Sequence, residues 1–93
     1  MSTRAEIASF EAGGRRVFVV RGVLLANQCE ELADSIRAGD AHEIVLDITS
    51  VDLEDRALDV LARLVRESGR HIDIRGLRDR QIRLLQWLGT HPA

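Results

Sequence analysis

The sequence predicts one α/β domain in which three helices pack on a mixed, mostly parallel β-sheet of about four strands. Segments rich in Val, Ile and Leu alternate with segments whose apolar residues recur at three- and four-residue steps, in the order β-β-α-β-α-β-α. Only the glycine turn Ala12–Arg15 separates the first two strands, which is typical of an antiparallel hairpin. Helices separate the later strands, so these need right-handed crossovers and lie nearly parallel.

The first half of the chain supplies two strands and a helix. Glu6–Glu11 is a short, weak strand that we expect at an edge of the sheet, antiparallel to its neighbour. Arg16–Arg21 contains the β-branched and aromatic run of the second strand. Leu25–Ala38 is predicted to be helical because its apolar residues share one face, and Gly39 ends it.

The second half supplies two strands and two helices. The nearly unbroken apolar run in Glu43–Ile48 predicts a central strand covered on both faces. Asp55–Ser68 has an apolar helical stripe and is followed by the capping glycine Gly69. His71–Arg75 alternates as a strand does, and Arg78–Leu88 is the last predicted helix.

Composition excludes several classes of function. The 93 residues suit one domain, 1-93, with a core of about 5-89. The net charge is −2, the arginines are interleaved with acids, and only 3% of the residues are aromatic, so neither a phosphate-binding stripe nor a base-stacking platform is expected. We therefore predict no nucleic-acid ligand. Because the chain has no Lys, Schiff-base chemistry and a P-loop lysine are excluded.

The reactive side chains form no recognisable catalytic or metal-binding pattern. His42, His71 and His91 have no ligand spacing with one another or with Cys29, which sits on the apolar face of a predicted helix. We therefore expect no metal, no cofactor and no enzymatic activity. A single cysteine, the lack of an apolar leader and the short apolar runs favour a cytoplasmic protein of bacterial type without membrane insertion.

An ordered set of segments resembles the STAS domain, the fold of the bacterial anti-sigma-factor antagonists. Val19–Leu24 is similar to the family's strand followed by Gly-x-Leu, and Glu43–Val51 to its strand ending in an aspartate. Leu53–Asp55 matches the approach to the family's Asp-Ser-x-Gly switch. His71–Leu77 resembles the last strand with its glycine, and Leu84–Gly89 the closing helix. The resemblance covers about Arg16 to Gly89 and implies a STAS-like fold.

The chain departs from this family at the switch itself. Members regulated by phosphorylation carry Ser or Thr after the aspartate, with Gly shortly after. Aligned without a gap, Arg56 occupies the phosphoacceptor position; with a one-residue gap, Ala57 takes the glycine position, and in both cases no hydroxyl follows Asp55. A kinase acting there has nothing to modify, so we expect no phosphoregulation at the usual site.

The resemblance implies a non-catalytic protein-interaction domain that acts in partner switching and transcription regulation. The partner would be an anti-sigma factor, a serine-kinase-like ATPase; the alternative is an accessory subunit that stabilises an ABC-type lipid transporter ATPase. The sequence leaves the oligomeric state open between monomer and homodimer. The loop before the second helix and the start of that helix would bind the partner through Asp55, Arg56, Ala57, Asp59, Val60 and Arg63.

Several of these residues also have a purely structural interpretation. Asp55 can be a helix cap and Arg56 a solvated side chain. Asp47 is predicted to accept backbone N–H bonds and fix the following loop, although the same position could bind a ligand. Thr49 and Ser50 are predicted turn residues of that loop, with alternative phosphorylation as the second interpretation. Trp87 lies off the apolar stripe of its helix and either anchors an interface or packs over the strands.

Overall fold

The computed structural model describes residues 5–88, which form the seven predicted elements in the predicted order. Gly89, His91 and the rest of the tail predicted beyond the last helix lie outside these residues. The strands are β1 (Glu6–Ala12), β2 (Arg15–Leu24), β3 (Glu43–Leu53) and β4 (His71–Arg75), and the helices are α1 (Ala26–Ala38), α2 (Asp55–Glu67) and α3 (Asp79–Trp87).

The strands form one mixed sheet in the order β1-β2-β3-β4. β1 pairs antiparallel with β2, whereas β2, β3 and β4 are parallel. The predicted mixed α/β sheet and the edge position of β1 are therefore confirmed. The turn that joins β1 to β2 contains Gly13 and Gly14, both at positive φ.

The helices and one face of the sheet form the core. Phe18, Leu46 and Ile74 of adjacent strands share a face and belong to one buried cluster with residues of all three helices. This arrangement follows from the topology, because two right-handed crossovers that step in the same direction along a sheet place their helices on the same side.

The prediction that β3 is covered on both faces agrees with the burial of Val45, but among residues 5–88 the core cluster lies on one face of the strand only. Val45 points away from the helices, beside Val17 of β2, and lies outside the core cluster. It is nevertheless only 4% exposed. Val45 lies on a central strand, where β2 and β4 flank it on both sides.

β3 is also longer than predicted. We expected the strand to end at Ile48 and a polar loop to contain Thr49 and Ser50, but both residues belong to β3. A bulge in the β2–β3 pairing sets Val20 opposite two residues of β3, and the pairing then resumes and continues to Leu53. The cross-strand partner, not the local turn propensity, decides where β3 ends.

The helix boundaries differ from the prediction by one residue at most at each end. Leu25 and Arg78, predicted as first helical residues, are the residues immediately before α1 and α3. Gly69 follows α2 with a φ of +70°, as expected for the predicted capping glycine. Trp87 is 87% exposed, which excludes the expectation that it packs over the strands.

Candidate functional site

The candidate site lies where the parallel strands end and the helices begin. β3 runs into α2 at this edge of the sheet through Glu54, and β4 leads to α3 through the residues that follow Arg75. Open α/β sheets usually place their binding surfaces at this edge. The residues predicted to bind a partner lie on α2, and the predicted loop residues lie within β3.

Asp47 and Thr49 form a local hydrogen-bonded pair on β3. Thr49 donates from its backbone N–H to Asp47 Oδ1 over 3.0 Å, and from its hydroxyl to the same oxygen over 2.7 Å. These two bonds, with the hydroxyl bond the stronger influence, hold the pKa of the Asp47 carboxyl below its ordinary value. The prediction that Asp47 accepts backbone N–H bonds is confirmed, although it stabilises a bulged strand and not a loop.

Gly76 packs directly against the backbone of Thr49. A Cβ atom at position 76 would lie 2.4 Å from Thr49 Cα, and the φ of Gly76 is +93°. Both the close approach and the backbone conformation therefore require glycine. Gly76 follows β4, so this contact brings the turn before α3 against the bulged part of β3.

Glu54 joins the beginnings of two helices, a role that the sequence did not reveal. It is the residue before α2, and its carboxylate Oε2 accepts the backbone N–H of Ala26, the first residue of α1, over 3.1 Å. Its own N–H donates to the carbonyl of Leu24 over 3.2 Å. A carboxylate beside a helix N-terminus satisfies an N–H that has no intrahelical acceptor and interacts favourably with the helix dipole.

The first turn of α2 carries two exposed, oppositely charged side chains. Asp55 is the first helical residue, not the cap as one interpretation held, and its Oδ1 lies 3.0 Å from Arg80 Nη2 of α3. Arg56 is exposed and pairs with no side chain among residues 5–88. The helix dipole is mildly unfavourable to a cation in the first turn, and the neighbouring carboxylate of Asp55 offsets this effect.

Ala57 and Val60 do not belong to an accessible surface. Ala57 is fully buried and Val60 is 7% exposed, and both belong to the core cluster. The thiol of Cys29 on α1 lies 3.7 Å from the Ala57 carbonyl, which it can reach as a weak donor. The expectation that a partner contacts these two side chains is therefore wrong for this conformation, because α2 turns that face towards α1 and the sheet.

Asp59 and Arg63 continue the exposed charges along α2. Asp59 follows Arg56 by three residues and Arg63 follows Asp59 by four, which places the three side chains on one face of the helix. Arg63 Nη1 lies 3.7 Å from Glu30 Oε1 of α1, whereas Asp59 has no ion pair among the described residues. We call Asp55, Arg56, Asp59 and Arg63 the α2 surface; its two ends are linked to the neighbouring helices and its middle is available.

The described residues include no reactive thiol and no cluster of metal ligands. Burial raises the pKa of the Cys29 thiol to about 12, so Cys29 is a protonated core residue at neutral pH and not a nucleophile. No three His, Cys, Asp or Glu side chains between Ala5 and Leu88 come together as a metal site. No helix in this part of the chain is long and apolar enough to span a bilayer.

Sequence comparisons do not classify the chain. No protein-family model matches it. No curated protein matches it either.

Solved structures do resemble it. An anti-sigma factor antagonist from Mycobacterium paratuberculosis superposes with a TM-score of 0.73 at 19% identity, over 100% of this chain and 90% of the other. An antisigma-factor antagonist STAS domain from Rhodobacter sphaeroides gives a TM-score of 0.57 at 21% identity, over 77% of this chain and 86% of the other. Mglu gives a TM-score of 0.66 at 19% identity; 77% of this chain is covered, but only 20% of Mglu.

These superpositions show which known fold the described geometry has. The mixed four-stranded sheet with its three helices superposes in full on a structure named as an anti-sigma factor antagonist, and in larger part on one named as a STAS domain. The chain has the fold of the STAS domain.

Proposed function

We propose that this chain is a non-catalytic protein-interaction domain of the anti-sigma-factor-antagonist type, which acts in bacterial regulation in the cytoplasm. Its partner would be an anti-sigma factor with a serine-kinase-like ATPase fold. The domain would bind it with the α2 surface, and Arg56 would lie at the centre of the contact.

The observation that supports this proposal most is the state of Arg56. It is exposed at the first turn of the helix that follows the central strand, and no side chain among residues 5–88 neutralises it. Arginine is enriched at the centres of protein interfaces because its planar guanidinium makes several directed hydrogen bonds to carboxylates and carbonyls. Asp59 likewise is exposed and has no ion pair among the described residues. The partner surface would therefore present an acidic group to Arg56 and a basic group to Asp59.

The proposed interaction is not controlled by phosphorylation at the start of α2. The segment Asp55–Asp59 contains no hydroxyl, and Asp55 and Arg56 hold fixed charges there. Phosphorylation of a family member would add a charge of about −1.5 to −2 at this helix terminus. We therefore expect constitutive binding, or control at another position.

The test compares capture by three versions of the purified chain from a lysate of its own organism. Wild type, Arg56→Glu and Arg66→Glu serve as baits, and mass spectrometry quantifies the captured proteins. Arg66 is the matched control because it is an exposed arginine at the opposite end of the same helix. We expect Arg56→Glu to lose an ATPase partner that wild type and Arg66→Glu retain, with unchanged circular dichroism.

The identity of the captured ATPase separates the two expected partner classes. An anti-sigma factor supports the proposal, whereas a transporter ATPase would assign the chain to the transporter-subunit alternative. Equal capture by all three baits would reject the α2 surface as the contact. Phosphopeptide mass spectrometry of the same samples tests control elsewhere by locating any phosphate on Thr49 or Ser50.

A further inference from the structure

β1 is an edge strand without the usual protection of an edge. β2 is the only described strand that pairs with it, and all seven of its residues are exposed, including Ile7 at 44% and Phe10 at 49%. Edge strands are commonly kept from pairing with other chains by a bulge, a lysine or a proline. β1 contains neither Lys nor Pro, and its register with β2 is unbroken from Glu6 to Ala12.

The opposite edge of the sheet is built differently. β4 has only five residues, and its apolar residues Ile72 and Ile74 are buried in the core. Its other face carries His71, Asp73 and Arg75, so it exposes no large apolar side chain. A short, charged edge strand resists pairing with another chain, whereas a longer strand with exposed apolar residues invites it.

The turn between β1 and β2 determines which backbone groups point to the free side. Gly13 and Gly14, both at positive φ, form a two-residue turn flanked by the pair Ala12 and Arg15. The pair that flanks such a turn exchanges both of its hydrogen bonds, and bonded pairs then alternate along the two strands. The even-numbered residues of β1 therefore bond to β2. The N–H and C=O groups of the odd-numbered residues point away from it: Ile7, Ser9 and Glu11.

The two carboxylates of β1 are balanced inside the hairpin. The register sets Arg21 opposite Glu6 and Arg16 opposite Glu11. Opposite charges that face each other across a strand pair stabilise that pair. The free edge therefore selects neither a basic nor an acidic strand. It suits a strand whose own charges are balanced in the same way, and β1 of a second copy is such a strand.

We infer that the free edge of β1 pairs antiparallel with β1 of a second copy, so that a two-fold axis joins the two sheets into one. A pair centred on Ser9 overlaps all seven residues of both strands. In this register Ser9 lies opposite Ser9, and Ile7 lies opposite Glu11 of the second copy. These are the residues whose backbone groups point to the free side, so the two strands exchange about six main-chain hydrogen bonds. The inference does not rest on the function proposed for α2.

The side chains are compatible with the same register. Phe10 lies beside Ala8 of the second copy and diagonal to its Phe10, a separation that aromatic side chains can span. Glu6 lies opposite an alanine and Glu11 opposite an isoleucine, so no two glutamates face each other. The Glu11 residues of the two copies are four residues apart along the strands, which is about 13 Å. The pairing therefore joins apolar residues without opposing like charges.

A helix explains this edge less well than a strand does. A groove of about 680 Å³ lies beside the helix-facing side of β1, with Ile7 in its lining. A helix in that groove would bond its own backbone groups internally and leave those of β1 unpaired. It would also leave Phe10 exposed, because the register places Phe10 and Ile7 on opposite faces of the sheet.

Amide hydrogen exchange of the full chain, measured by NMR at about 50 µM and about 1 mM, tests the pairing residue by residue. A contact of one strand pair is small, so we expect a reversible dimer that forms in this range. The amides of Ile7, Ser9 and Glu11 should exchange about fivefold more slowly at the higher concentration. Those of Ala8 and Phe10, which bond to β2, should be protected equally at both. Exchange that does not depend on concentration, or that slows equally at all five amides, would overturn the inference.

Sedimentation equilibrium over the same concentrations measures the dimer itself. The average mass should rise from 10.4 kDa towards twice that value. Ser9→Pro removes the central outward N–H, at a position where an edge strand tolerates proline, and should weaken the dimer at least about tenfold. Ser9→Ala is the matched control, because it removes only the hydroxyl that accepts a 3.2 Å bond from Arg16, and it should dimerise as wild type does.

Circular dichroism checks that both Ser9 variants keep the fold. A chain that stays at the monomer mass up to about 1 mM would overturn the inference. A folded Ser9→Pro chain that dimerises as strongly as wild type would do the same, because it would show that the contact does not use the outward backbone groups of β1.

Discussion

Two glycines with similar backbone conformations differ in what lies beside them. Gly14 and Gly76 have φ values of +80° and +93°, but a Cβ at position 14 would meet nothing within 4 Å, whereas one at position 76 would collide with Thr49. Gly14→Ala should therefore cost only the positive-φ penalty of about 1 kcal/mol of unfolding free energy, and Gly76→Ala about 3 kcal/mol or more. Urea denaturation of both variants measures the difference.

Equal losses for the two glycine variants would contradict this account of Gly76. That result would mean that the turn after β4 moves away from Thr49 at little cost. Leu77, the partly buried residue that follows Gly76, would have to move with the turn or adapt.

The Asp47–Thr49 hydrogen bonds predict that the free energy of unfolding depends on pH in the acidic range. The folded-state pKa of Asp47 is lowered, so its ionised form stabilises the fold above the unfolded pKa of about 3.9, and this contribution is lost as the pH falls through the folded pKa. Thr49→Val removes the hydroxyl bond, the larger cause of the shift. Wild type should exceed Thr49→Val in stability near pH 6, and the gap should narrow below about pH 4.

Urea denaturation of the two proteins across this pH range gives the stability gap, and NMR titration of the Asp47 carboxyl carbon gives the pKa itself. The titration should show a higher pKa in Thr49→Val than in wild type. A stability gap that stays constant with pH would show that the valine acts through packing and not through the carboxylate.

At the scale of the elements, Glu54 links three of them. Its backbone N–H bonds to the end of β2, and its carboxylate bonds to the first N–H of α1 while it precedes α2. Glu54→Ala should destabilise the fold by about 1–2 kcal/mol, because a partly buried N–H of Ala26 loses a charged acceptor. Glu54→Gln keeps an acceptor oxygen and should cost less. Thermal unfolding by circular dichroism ranks the three proteins, and equal stability of the alanine and glutamine variants would exclude the carboxylate bond as the cause.

The elements also show what the sequence could and could not predict. β4 was bounded correctly because His71–Arg75 alternates cleanly between two glycines, Gly69 and Gly76. The end of β3 was wrong because Thr49 and Ser50 favour turns locally, while their strand conformation comes from pairing with β2. A local pattern predicts where an element begins, but not a pairing with a strand that lies more than 20 residues away.

The same limit on local sequence patterns applies to the candidate site. The exposed charges of α2 were predictable from helical spacing, and so was the absence of a hydroxyl after Asp55. The burial of Ala57 and Val60 was not, because it depends on how α2 packs against α1 and the sheet. The roles of Glu54 and Arg80 depend on contacts between residues 28 and 25 positions apart, which no local pattern contains.

At the scale of the whole molecule, the fold separates two candidate binding surfaces. β1 forms one edge of the sheet, whereas α2 connects β3 to β4 at the other side. Residues of all three helices belong to one buried cluster with the side chains of one face of the sheet.

The central claim is that the start of α2 is the partner contact, and amide hydrogen exchange tests it most directly. The first N–H groups of a helix have no intrahelical acceptor, so those of Asp55 and Arg56 should exchange quickly in the free chain. The measurement compares exchange of the chain alone with exchange in complex with the ATPase that it captures. We expect slowed exchange at residues 54–59 and unchanged exchange in β1. Protection elsewhere with none at the start of α2 would contradict the claim.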